Sequence, residues 1–114
     1  MDDADKAAHE AVADLAGYGP LRFLNDGTVL ADGSPWNPTA CDGDALRLGV
    51  LLSIRFWAMR QRAIASHDDL SMRVVVPFDA PEIRGDRFYA ARCAIFVCAL
   101  QLAQKRREES HEQG

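Results

Sequence analysis

Hydrophobic positions along the chain fall into two periods, one of about 3.6 residues and one of two, and their alternation outlines the molecule. Between Asp3 and Ala16, the residues Ala7, Ala8, Ala11, Val12, Leu15 and Ala16 recur at helical spacing; Asp3 or Asp5 can cap the start, and Gly17 and Gly19-Pro20 close it. The apolar face of this first helix is mostly alanine, so it buries little area per turn and suits close packing against a sheet or a neighbouring chain. Short apolar runs then alternate with Asp-Gly steps: Leu21-Arg22-Phe23-Leu24, Asn25-Asp26-Gly27, Thr28-Val29-Leu30 and Asp32-Gly33-Ser34-Pro35. Asp-Gly is favoured where the chain must turn with positive φ, so this stretch predicts a small hairpin.

A second helix follows over Ala45 to Leu52, where Leu46 and Val50, with Leu48, Leu51 and Leu52, return at helical spacing. The Asn37-Pro38 step keeps the chain extended before it, and Thr39, Asp42 or Asp44 can supply the cap. From Ser53 the period changes to two. Ile54, Phe56 and Ala58 alternate with Arg55, Trp57 and Met59, and Met72, Val74 and Val76 alternate with Arg73 and Val75, predicting antiparallel strands. Ser66 to Ser71 reads as a polar connection, with an extension of the first strand as an edge over Gln61 to Ala65 as the alternative, and Phe78 to Gly85 as a loop. Asp86 to about Arg107 is the strongest element, with Tyr89, Cys93, Phe96, Leu100 and Ala103 on one stripe and Ala91, Ile95, Cys98 and Leu102 on another. That apolar width exceeds what a surface helix buries, so the helix lies centrally or faces another subunit.

The elements predict an α+β fold, a small antiparallel sheet layered with about three helices. At 114 residues the chain suffices for one domain: an acidic N-terminal helix over 1–19, a core over 20–104 and a loose charged tail over 105–114. A net charge of -4 argues against a phosphate backbone as the main partner, and makes nucleic acid an unfavoured ligand. The positive charge is nearly all arginine, with Lys6 and Lys105 the only lysines, which matches the coding bias of a GC-rich genome and lowers the weight of any single arginine. Neither a secretory leader nor an apolar run of spanning length is evident, so a cytoplasmic protein is expected.

Candidate chemistry is sparse. Cys41, Cys93 and Cys98 lack C-x-x-C spacing, so free thiols without a metal are expected, and no glycine pattern suggests a cofactor. His67-Asp68-Asp69 is the one place where histidine adjoins carboxylates, a minimal requirement for a hydrolase using His67 and Asp69; a solvated turn is the favoured reading, and no catalytic residue is assigned. Arg84, Arg87 and Arg92 surround the opening of the last helix, where free N–H groups favour anions, and could hold a phosphorylated ligand. The competing reading pairs them with Asp79, Glu82 and Asp86. Trp36 is expected to lock the hairpin to the second helix, and Asp42 and Asp44 to open that helix.

Two stretches carry a resemblance. Trp36-Asn37-Pro38 followed by Asp42-Gly43-Asp44-Ala45-Leu46-Arg47-Leu48, and Ala90-Ala91-Arg92-Cys93-Ala94-Ile95-Phe96, are similar to the tryptophan-x-proline signature and the closing helix of phage ABA-sandwich proteins such as NinX. The resemblance spans Leu21 to Gln104 and marks Trp36, Pro38, Asp42 and Asp44 as motif residues. Cys41 stands where relatives often carry an acidic residue, and the connection Gln61 to Ser71 is longer than theirs. The resemblance implies a helix-sheet-helix layered fold and a bacteriophage or prophage origin, with no common chemistry. The expectation is therefore a homo-oligomeric accessory factor that binds a host protein, in host takeover or counter-defence; a sponge for a phosphorylated nucleotide is the alternative.

Overall fold

The computed structural model describes residues 1–113, with side chains through Ser110. Three helices and six strands follow in the order α1 (Asp3–Ala16), β1 (Leu21–Phe23), β2 (Val29–Ala31), β3 (Ser34–Pro35), α2 (Asp42–Leu51), β4 (Arg55–Ala58), β5 (Arg62–Ser66), β6 (Val74–Pro77) and α3 (Arg87–Gln113). The α+β class is as the sequence predicts.

Local chemistry accounts for most element ends. Asp2, and neither of the expected caps Asp3 and Asp5, caps α1 by accepting the Asp5 N–H at 2.8 Å. Gly17 stops α1 with φ 89°, letting the Tyr18 N–H return to the Ala13 carbonyl at 2.9 Å, the six-to-one bond of a Schellman cap. Asp32 and Gly33, with φ 52° and 82°, form the two-residue turn between β2 and β3, the primed geometry whose twist matches an antiparallel pair.

The strands form two three-stranded antiparallel sheets, β1-β2-β3 and β4-β5-β6, and not one. The second differs from the sequence expectation at its centre. Arg62–Ser66 is the middle strand, pairing Ala63 with Ala58 on one side and Val76 on the other. Its period is obscured because Ala63, Ile64 and Ala65 are all buried, so no polar position marks an outer face.

The helix α3 is central: α1, α2 and the strands of the second sheet all pack against it. Small residues meet where the helix crosses the sheet, Ala90, Ala94 and Cys98 on one side of the helix and Ala63 and Ala65 on β5, all essentially inaccessible. Small side chains let the helix axis lie close to the sheet, where packing density rewards it. The alanine-rich face of α1, with Val12 and Ala13 buried, packs in the same chain against α3. The loose tail expected from Lys105 is instead helical through Gln113, tied by Lys105 to Glu109 at 3.9 Å and by Arg106 to Asp69 at 3.4 Å. Gly114, the end of that expected tail, lies outside the described residues. Among the described residues no helix is long and apolar enough to cross a membrane.

Candidate functional site

The two stretches that carry the phage resemblance meet in space. Arg92, one and a half turns into α3, donates from Nε to the Thr39 carbonyl at 2.9 Å and from Nη1 to Asp42 Oδ1 at 2.6 Å. Asp44 accepts the Asn37 N–H at 2.9 Å, and Thr39 donates its hydroxyl proton to Asn37 Oδ1 at 3.0 Å. These bonds fix the loop between β3 and α2, whose Trp36 and Pro38 are buried. None of the residues expected to cap α2 does so: the N-cap is Cys41, without a side-chain hydrogen bond, because Thr39, Asp42 and Asp44 are engaged elsewhere.

Trp36 packs its ring against Tyr18, 5.4 Å away, and stands edge-on to His9 at 6.1 Å. It thus locks the first sheet to the end of α1 as well as to the rest of the core. His9, which its position near the chain start made unremarkable, is buried against Phe96 at 4.7 Å. Its Nδ1 lies 2.7 Å from the Asp5 carbonyl, which can only accept, so Nδ1 is the donor in that bond. Neither His9 Nε2 nor Trp36 Nε1 has a hydrogen-bond partner. The only sequence signal for this pairing was that His9 shares the helix face of Val12 and Ala13.

Beside the Asp42–Arg92 pair lies a groove of about 260 Å³ between α2 and α3, floored by Ala45, Ala91 and Ile95 and rimmed by Leu46, Phe56 and Phe88. Its rim is open to solvent: Phe88 is 69% exposed, Leu46 53% and Phe56 42%; Val50, one turn beyond Leu46 on α2, is 71% exposed. The Phe56 ring lies 3.7 Å from where a Cβ on Gly49 would stand, an ordinary van der Waals distance, so β4 packs on α2 with room for an alanine at that position.

A second exposed surface is the face of β4-β5-β6 away from α3. Alternation puts Arg55, Trp57, Arg62, Ile64 and Val75 there, and Phe56, Ala58, Ala63, Ala65, Val74 and Val76 on the helix side. Trp57, Ile64 and Val75 form one cross-strand row, in which Ile64 is 1% exposed while Trp57 and Val75 remain 40% and 41% exposed. Arg55 and Arg73 line a hollow with Val75 on one side of the row, and Arg62 lines another with Val75 and Pro77. Arg55 is paired with Asp68 at 2.7 Å; Arg62 and Arg73 have no ion-pair partner among the described residues.

The arginines singled out by sequence do not converge. Arg92 serves the loop clamp; Arg87 lies over the Phe78 ring at 5.4 Å and reaches the Arg60 carbonyl at 3.4 Å; Arg84 is exposed in a turn with φ 54°. Asp86 caps α3 by accepting the Tyr89 N–H at 3.0 Å, so its carboxylate already occupies the place an anion would take. The expected ion pairs with Asp79, Glu82 and Asp86 do not form; the carboxylate that Arg92 meets is Asp42.

His67 and Asp69 form a turn and not a dyad. The His67 Nδ1 accepts the Asp69 N–H at 2.9 Å, its side chain is nearly buried, and Asp69 turns to Arg106 of α3 and accepts the Lys105 ammonium through its carbonyl. The thiols of Cys41, Cys93 and Cys98 are free, and burial pushes those of Cys93 and Cys98 above the ordinary value of 9.0. No group of three or more His, Cys, Asp or Glu among the described residues could hold a metal ion.

The fold is thus an α+β domain with two open surfaces, one between α2 and α3 and one on the second sheet. No family model, curated protein or solved structure matches this chain.

Proposed function

We propose that the chain is a phage or prophage accessory protein that acts by binding and not by turnover, occupying a host protein in host takeover or counter-defence. The observation that carries this reading is the open face of β4-β5-β6: Trp57 and Val75, partly exposed on either side of buried Ile64, flanked by Arg55, Arg62 and Arg73. Tryptophan and arginine are the residues that most often anchor protein interfaces, and here they are mounted on a rigid sheet. Uncompensated guanidinium groups select an acidic partner surface, because like charges there cost free energy while carboxylates accept bidentate bonds. Among the described residues, Asp42 with Arg92 is tied into a clamp and His67 with Asp69 into a turn.

Capture from a bacterial lysate followed by titration of the purified captured protein tests the reading. Trp57→Ala and the double substitution Arg62→Glu with Arg73→Glu are each expected to weaken that binary complex at least tenfold, which is ~1.4 kcal/mol. Equal affinity for parent and variants would contradict it. So would a melting-temperature rise with mono-, di- or cyclic nucleotides that Trp57→Ala abolishes, since that result would instead make this face a nucleotide sponge.

A further inference from the structure

The groove between α2 and α3 is separate from that sheet face, and it is shaped to receive part of itself. We propose that it is the interface of a two-fold homodimer, in which Phe88 of each protomer enters the other's groove and the Leu46–Val50 rows of the two α2 helices meet. Three observations select a second copy of the chain as the occupant.

The first is the pairing of knob and hole. Phe88 is the most exposed aromatic of the chain, and it stands on the rim of an apolar groove. A two-fold axis beside that rim places each ring over the opposite floor, because an isologous interface repeats every contact in both directions. A closed cavity of ~150 Å³ suffices to hold benzene, so a 260 Å³ groove floored by Ala45, Ala91 and Ile95 has room for a phenyl ring.

The second is area. Taking roughly 150–250 Å² for a whole aromatic side chain and less for an aliphatic one, the exposed parts of Phe88, Phe56, Leu46 and Val50 amount to on the order of 300–400 Å² of apolar surface. A standard interface covers ~800 Å² on each partner, about 65% of it apolar in homodimers, so the face supplies the larger part of what a stable dimer requires. An exposed apolar patch of this size on a single chain is often functional.

The third is how charge is arranged around the face. Asp42 and Arg92 neutralise each other at the groove's end, 2.6 Å apart, so the surface carries no net charge that would repel an identical copy. Partners recognised by charge are better served by the arginine-bearing sheet on another side of the molecule.

Light scattering and sedimentation of the full chain at rising micromolar concentration test the proposal, with circular dichroism as a check on folding. The parent is expected at twice the 12.6 kDa chain mass, and Phe88→Asp and Val50→Glu each at 12.6 kDa with an unchanged helical spectrum. Trp57→Ala is expected to remain dimeric, so loss of the host complex and loss of the dimer are separable. A parent that stays at 12.6 kDa at the highest concentration, or folded Phe88→Asp and Val50→Glu that both keep the double mass, would overturn it.

Discussion

The first two helices spend their hydrophobic residues in opposite ways. The face of α1 is mainly alanine, yet it lies in the core against α3, with Val12 and Ala13 inaccessible and His9 filling the space between Phe96 and Trp36. The helix α2 is richer in large aliphatics, yet it buries only Ala45, Leu48 and Gly49 and presents Leu46, Val50 and Leu51 outward. Apolar content therefore does not say which helix makes the core. What decides is the distance at which the neighbouring element packs: small faces close on one another, and the bulky face of α2 remains exposed.

Substitutions along α2 and its neighbours sharpen the contrast. The largest effect is expected inside. Leu48→Ala should cost ~2–5 kcal/mol and Trp36→Ala ~3–5 kcal/mol, read by denaturant unfolding, since both are buried and leave cavities. Leu46→Ala, two residues away on the same helix, should change the stability of the monomer by less than ~0.5 kcal/mol. A Leu46→Ala loss as large as that of Leu48→Ala in a monomeric sample would show that the outward face is part of the core.

Next in size is the close helix-sheet contact. Ala94→Leu should destabilise by ~1–3 kcal/mol, because Ala94 is fully buried and the larger side chain must displace its neighbours. Stability equal to or above the parent in the same denaturant titration would mean that α3 has room to move away from β5.

Smaller again is the clamp. Arg92→Ala removes hydrogen bonds to the Thr39 carbonyl and to Asp42, and with Asp42 largely exposed the cost should be ~1 kcal/mol. Arg92→Lys should recover only part of it, since an ammonium is a point charge without the guanidinium's fixed fork. Full recovery in the unfolding midpoint would reduce the clamp to a charge effect.

The smallest effect is on alkaline stability. Burial raises the Cys98 pKa in the folded chain above its unfolded value, so between the two the native state holds more protons. Stability from this group is fully present below the unfolded pKa, near 9.0, and is lost as pH rises from there through the higher pKa of the folded chain. Cys98→Ala should flatten the fall in melting temperature above about pH 9, and an unchanged slope would remove this thiol from the alkaline transition. At neutral pH a thiol reagent should modify exposed Cys41 first and Cys98 only after unfolding.

Much of the fold was legible in the sequence where local chemistry sets geometry. Asp32-Gly33 announced its turn, Gly17 its helix stop, and the width of the α3 apolar face its central place. The strand at Arg62–Ser66 was not, because burial on both faces removed its alternation. The motif residues Trp36, Pro38, Asp42 and Asp44 were legible as a group, but the contact that unites them with Arg92 spans 50 residues and has no local signature. Nearness in sequence misled at the opening of α3. Arg87 and Arg92 are five residues apart, which on an α-helix is roughly 140° of rotation, so one side chain turns to Phe78 and the other to the loop before α2. Nor could the sequence say that α2 shows its leucines to solvent, since outward and inward faces carry the same residue types.

The direct test of the contrast between the two helices is amide hydrogen exchange of the parent chain at low and high protein concentration. The account predicts that protection rises with concentration in peptides covering α2 and the first turn of α3 around Phe88, while α1 and the first sheet exchange at the same rate throughout. Concentration-independent exchange across α2, or added protection confined to α1, would contradict it.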